Sequence, residues 1–356
     1  MTLVQAGFLL SLVQAAGMLL GVAFGLGPKR SMVLGLCLLA AASGLGGLAN
    51  GVPMLMVLRV FEGFGLLLVV LPAPGLLRQL VPPQRVNVML GVWGTYMPLA
   101  TALALLLGPL WIAAFGWRGW WWALAAVSLA MAAVVALAVP AASTAASAAP
   151  LWLSRLRQTL TARGPWLVAM PFAAYSAQWG AVIGFLPTIY AQAGISGATT
   201  GALTALAAAV NMLGNLAAGR LLQRGVAPTR LLSIAFVSMA LAAVAAFAGT
   251  PSGGLTPELR YLAVLLFSMI GGLVPATLFS LAVRVAPSAR TLSTTVGWLQ
   301  QWSALGQFAG PPLVAWVASQ AGGWHLTWVA TGACALAGLL LTRRLGGLAA
   351  LQARAP

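Results

Sequence analysis

Residues 53–85 read PMLMVLRVFEGFGLLLVVLPAPGLLRQLVPPQR. From Pro53 to Leu77 the run carries one arginine and one carboxylate, Arg59 and Glu62, and it ends on Arg78 and Arg85. About 20 apolar residues suffice for a helix to cross a bilayer, so this stretch predicts a membrane span. The same unit recurs along the chain. Eleven spans are predicted, near 3–26, 32–50, 53–77, 86–114, 119–140, 166–190, 199–219, 231–249, 261–283, 292–318 and 325–342. The composition agrees: 6% of residues are charged and the mean hydropathy is +0.99, values that no soluble surface sustains.

Charge then predicts orientation. Fifteen of the 18 basic residues fall at alternate span ends: Lys29 and Arg30; Arg78 and Arg85; Arg155, Arg157 and Arg163; Arg220, Arg224 and Arg230; Arg284 and Arg290; Arg343, Arg344 and Arg354. The opposite ends hold only Arg118 and Arg260. Cytoplasmic loops carry the excess of basic residues, so the N-terminus is expected outside and the C-terminus in the cytoplasm. The +16 net charge therefore speaks for lipid headgroups as neighbours, and no basic soluble face exists for nucleic acid. One histidine, two carboxylates and two separated cysteines leave no acid–base or metal-ligand set, so neither an enzyme nor a cofactor is expected. Cys37 and Cys334 read as small apolar packing residues in mid-span.

The one long polar connection, about 141–165, splits the chain into bundles at 1–140 and 166–356. Its second part, Leu151-Trp152-Leu153-Ser154-Arg155-Leu156-Arg157, predicts a short interfacial helix. The bundles repeat each other. Gly116-Trp117-Arg118 with Trp121 matches Gly323-Trp324-His325 with Trp328, and Gly108-Pro109 matches Gly310-Pro311. In this register the sixth span has no counterpart, so a further helix is expected ahead of Met1.

With these residues in view, the chain resembles the major facilitator superfamily. Arg59-Val60-Phe61-Glu62-Gly63-Phe64-Gly65 is similar to the family's fourth-helix signature, and Gly91, Gly94, Pro98, Gly108 and Pro109 to its fifth-helix pattern. Gly21-Val22-Ala23-Phe24-Gly25 through Lys29 and Arg30 resembles the loop signature after the second helix, shortened and without its aspartate. The run from Arg59 through Pro72, Pro74, Arg85 and Gly91 to Gly116-Trp117-Arg118 is similar to the cyanate and nitroimidazole permease branch. The resemblance implies an all-α, two-bundle, monomeric secondary transporter that moves a small solute by alternating access. Seventeen arginines to one lysine, in a chain rich in alanine and glycine, point to a GC-rich bacterial genome and hence to a bacterial inner membrane.

Candidate site residues follow from the chemistry of polar groups in lipid. Arg59 cannot shed its proton and needs an anion nearby, which Glu62 at i+3 supplies; the pair reads either as a structural clamp or as a site for a small anionic or weakly acidic solute. Glu62 is the expected carboxylate for a coupling proton. Aromatic and amide residues at helical spacing predict cavity faces: Trp93 and Tyr96; Tyr175, Gln178 and Trp179; Asn211 and Asn215; Trp298, Gln301 and Trp302. Pro72, Pro74, Gly91, Gly94, Gly108 and Pro109 read as hinges, and Gly21, Gly25, Lys29 and Arg30 as gate residues. The sparse cavity charge keeps a neutral-solute or multidrug efflux carrier open as the alternative. A third reading is an inactive truncated transporter, because a missing helix would leave polar groups facing lipid.

Overall fold

In a computed structural model, residues 27–140, 151–195, 197–249, 255–288 and 291–352 are described, and their regular structure is helical throughout. The first predicted span, with Gly21 and Gly25, lies outside the described residues. The helices are α1 (Pro28–Gly46), α2 (Val52–Val70), α3 (Ala73–Leu80), α4 (Val86–Trp93), α5 (Tyr96–Ala138), α6 (Leu151–Thr161) and α7 (Arg163–Gln192). They continue as α8 (Gly197–Ala209), α9 (Asn211–Gln223), α10 (Pro228–Phe247), α11 (Pro257–Gly271), α12 (Leu273–Val285), α13 (Leu292–Ala321) and α14 (Thr327–Gln352). Every predicted span within the described residues is helical.

Several spans are broken. The 53–77 span bends where α2 passes into α3 at Leu71 and Pro72, and the 86–114 span breaks at Gly94 and Thr95 between α4 and α5. The 199–219 and 261–283 spans break at Val210 and Gly272. The breaks near Pro72 and Gly272 occupy matching places in the two halves, beside Pro74 and Pro275. The predicted division at 114–119 holds: α5 is two helical segments that meet at Gly116, whose non-helical φ of 71° and ψ of 168° turn the chain sharply. A left-handed φ of this kind suits glycine alone without strain.

Among the described residues, seven stretches are long and apolar enough to cross a membrane: Pro28–Gly46, Val52–Leu80, Pro83–Ala138, Gly197–Gln223, Pro228–Phe247, Pro257–Val285 and Trp324–Gly347. Helices α7 and α13, each 30 residues long, are not among them. Their shortfall is chemical, because they carry serines and amides that lipid would not solvate. The two pack against each other over most of their length.

Close helix approach is made by glycine, as expected where lipid offers no hydrophobic drive for association. A Cβ on Gly306 would stand 2.2 Å from the Ala173 carbonyl oxygen, and one on Gly310 2.2 Å from that of Ala177. Gly35 and Gly65 join α1 to α2 in the same manner, 2.6 Å and 2.7 Å from each other's carbonyls. Backbone cannot step aside as a flexible side chain can. Gly306→Val is therefore expected to cost at least about 1–3 kcal/mol. The check is the melting temperature of the purified protein, with Gly332→Val, which meets open space, as the unchanged control.

In the first half α1 packs on α2 and α5; in the second, α7 packs on α13 and α14, and α10 on α11 and α14. The halves meet where α4 touches α9 and α12, and where α5 touches α8. Helix α6 forms at the predicted linker position and is fastened to the second half. Thr159 Oγ1 lies 2.7 Å from Thr294 Oγ1, and the Trp166 indole donates to the Leu160 carbonyl at 2.8 Å. One smaller expectation fails: Cys37 is exposed on the surface of the described residues. Trp121 is buried.

Candidate functional site

A cavity opens between the halves. The second half supplies Phe172, Tyr175, Ser176 and Trp179 from α7, Asn211 from α9, Pro275 and Phe279 from α12, and Gln300, Ser303 and Gln307 from α13. The first half supplies Gly94, Tyr96, Met97 and Pro98. Four α7 residues at i, i+3, i+4 and i+7 form one helical face, as do the three from α13 at i, i+3 and i+7. The cavity is aromatic, hydroxylic and amidic. Among the described residues no lysine, arginine, histidine or carboxylate lines it.

Its polar groups are tied to one another. Asn211 Nδ2 donates to the Ser268 carbonyl at 2.6 Å and lies 3.0 Å from the Tyr175 hydroxyl. The Asn215 amide donates to Asn211 Oδ1 at 3.0 Å, and the Trp179 indole donates to Ser268 Oγ at 3.0 Å. Ser176 and Ser303 hydroxyls are 2.8 Å apart, and Gln307 Nε2 donates to Ser303 Oγ at 3.2 Å. Tyr96 from the first half and Gln300 from the second both line the cavity.

Tyr96, Tyr175, Trp179 and Asn211, all picked from sequence, thus converge on one space. Trp93 stands just behind the wall, its ring 4.6 Å from Phe279 in an edge-on contact. Asn215 supports Asn211 from outside the lining. Gln178 turns away: its amide donates to the Ala174 carbonyl at 3.1 Å, and it borders a separate space with Thr331 and Cys334. Trp298 and Trp302 cluster with Trp166, at ring separations of 4.8 Å and 5.7 Å, and Gln301 also lies outside the lining. The working face of α13 is Gln300, Ser303 and Gln307. Sequence reading found that helix but chose its aromatic face. The i, i+3, i+7 spacing of two amides and a serine was the signal available.

Arg59 and Glu62 are also absent from the cavity. Arg59 Nη1 donates to Glu62 Oε2 at 2.8 Å, Ser43 Oγ donates to Glu62 Oε1 at 2.6 Å, and the guanidinium lies 4.6 Å from the Trp121 ring centre. The arginine side chain is 37% exposed and the glutamate 7%. The geometry is that of an ion pair joining α2 to α1 and α5.

The halves are also bonded to each other outside the cavity lining. Ser280 Oγ donates to Asn87 Oδ1 at 2.9 Å, and the Gln223 amide donates to the Gln84 carbonyl. A Cβ on Gly91 would lie 2.8 Å from the Asn215 carbonyl, and one on Gly94 2.5 Å from Asn215 Oδ1. Gly91 and Gly94 are thus close-approach points between halves. Pro72 and Pro74 sit at the α2–α3 bend, Gly108 and Pro109 lie within α5, and Lys29 and Arg30 stand in the first turn of α1. Gln84, Asn87, Gln223 and Ser280 were not singled out from sequence, where short polar residues near basic helix ends carry no distinctive pattern.

Over residues 1–311 the sequence matches the family model for the Major Facilitator Superfamily. The chain belongs to that superfamily. Solved facilitators share its fold. The E. coli fucose:proton symporter is 17% identical, with a TM-score of 0.70 over 96% of this chain and 90% of that one. A human organic anion transporter is 18% identical, with a TM-score of 0.70 over 96% and 83%. A bacterial homolog of the human lysosomal transporter Spinster, inward-facing and occupied, is 16% identical, with a TM-score of 0.66 over 98% and 88%. A shorter likeness joins this facilitator to the tetracenomycin C resistance and export protein of Streptomyces glaucescens. It is 30% identical over 92 residues, covering 26% of this chain and 17% of that protein. The molecule is a multi-pass membrane protein with the fold of a secondary transporter.

Proposed function

We propose that this facilitator moves an uncharged small solute across a bacterial inner membrane by alternating access. The observation that carries the reading is the uncharged lining of the cavity between the halves. An ionised solute would leave its hydration shell there without a compensating partner, at a cost of several kcal/mol. The bundles at 1–140 and 166–356 rock about this space, with the 141–165 linker and the C-terminus at the cytoplasmic face and the N-terminus as written outside. The sorting of fifteen basic residues to alternate span ends supports that orientation. The likeness to an export protein favours efflux as the direction. The working unit is a monomer.

A small anionic or weakly acidic solute is the second reading. It draws on the intramembrane guanidinium of Arg59 and on the resemblance to the cyanate and nitroimidazole permease branch. A coupling proton, where one is used, passes through Glu62, the one carboxylate within a predicted span.

Counterflow in proteoliposomes, run against panels of neutral aromatic amides and of small anions, decides between the two. The expected result is exchange of neutral solutes that persists when the pH gradient is collapsed. Exchange confined to the anions, and lost in Arg59→Leu, would reverse the assignment.

A further inference from the structure

Helix α13 offers the cavity two carboxamides with a serine between them. Gln300, Ser303 and Gln307 share one face, and seven residues at 1.5 Å per residue separate the glutamines by about 10 Å along the helix axis. The middle position is taken, because Ser303 is bonded to Ser176 at 2.8 Å and accepts from Gln307 at 3.2 Å. The lining is also aromatic. Phe172 and Phe279 meet edge to face with ring centres 5.5 Å apart, and the Tyr175 ring lies beside Phe172 at 6.2 Å. The site therefore carries a carboxamide at either end of the α13 face, with aromatic rings in the wall beside them.

A carboxamide both donates and accepts, so each end can match a hydroxyl, carbonyl or amide on a solute. Neither end can neutralise a carboxylate or an ammonium. Gln300 has a second property: Tyr96 of the opposite half lines the same cavity, so a solute held at that end can touch both halves.

We propose that the cavity takes an elongated uncharged solute with hydrogen-bonding groups at both ends, one held by Gln300 and the other by Gln307, and a flat apolar middle. The inference rests on the uncharged-solute reading above and narrows it to a two-ended class. A site built to hydrogen-bond a group discriminates against the analogue lacking it far better than an apolar wall does.

The test measures binding to the full-length carrier in detergent by isothermal titration calorimetry. The probes are biphenyl-4,4'-dicarboxamide, whose amide groups match the spacing of the glutamines, its one-ended analogue biphenyl-4-carboxamide, and biphenyl-4,4'-dicarboxylate. The diamide is expected to bind roughly tenfold more tightly than the monoamide, the value of one further net hydrogen bond. Gln300→Leu and Gln307→Leu should each erase that difference. Gln301→Leu, on the same helix but outside the lining, should keep it. Should a leucine variant fail to fold, Gln300→Met or Gln307→Met serves in its place. Equal affinity for the two amides, no binding of either, or a ratio that survives both substitutions overturns the two-ended site. Counterflow of neutral solutes would still stand in those cases. Preference for the dicarboxylate over the diamide overturns both the inference and the uncharged reading beneath it.

Discussion

Asn87→Cys combined with Ser280→Cys is expected to stop transport once the two thiols are joined, with activity falling at least tenfold and returning on reduction. The two side chains lie in hydrogen-bond contact at 2.9 Å and belong to opposite halves, Asn87 on α4 and Ser280 on α12. Alternating access requires contacts between the halves to open in every cycle. A covalent bridge holds this one shut, whereas the hydrogen bond it replaces contributes only about 0.5–1.5 kcal/mol and yields readily. The background must lack Cys37 and Cys334, both free thiols, so that no other bridge forms. Each single cysteine should transport normally under the same oxidation. A bridge confirmed by mass spectrometry in a carrier that still exchanges solute would mean that α4 and α12 never part.

The second large effect concerns the charge pair of α2. Arg59→Ala should destabilise the protein, because Glu62 at 7% exposure would lose its ion-pair partner and keep only the Ser43 hydroxyl. Breaking a fully buried pair from one side costs ~3–5 kcal/mol. The arginine is 37% exposed, so solvent already shares its load and the expectation falls to about 2 kcal/mol. That is a drop of several degrees in apparent melting temperature. Removing both charges, as Arg59→Leu with Glu62→Leu, should recover most of the loss, since apolar replacement of a whole pair is close to neutral. The double variant also separates roles that the single variant confounds. If it melts like the parent and still exchanges neutral solutes, the pair is a clamp between α2, α1 and α5. If it melts normally but exchanges nothing, the guanidinium or the carboxylate takes part in transport.

Much of the architecture was legible because lipid enforces it. Apolar runs closed by arginines must be helices, and each predicted span among the described residues is one. The breaks were harder to foresee. Pro72 and Gly94 announce theirs, but Val210 sits between Ala209 and Asn211 with no breaker residue, so its break depends on packing against α11 and α12. Gly116 announces its break as well, since one glycine at a positive φ ends one helical segment and starts the next.

The cavity was half legible. Tyr175, Trp179, Asn211 and Tyr96 were found because large polar side chains in apolar helices invite notice. Ser176 and Ser303 were passed over as small and neutral, although their mutual contact at 2.8 Å fixes how α7 and α13 face each other. On α13 the tryptophans drew the choice toward Trp298 and Trp302, while Gln300 and Gln307 hold the cavity side. Periodicity names the faces of a helix, but only the neighbouring helix decides which face looks inward.

The glycine contacts between α7 and α13 have a consequence for how the molecule moves. Gly306 and Gly310 seat their helix directly on the carbonyls of Ala173 and Ala177, two turns of backbone locked into backbone. Such a seam cannot slide without collision, so Tyr175, Ser176, Ser303 and Gln307 are expected to keep their mutual positions as one wall of the cavity.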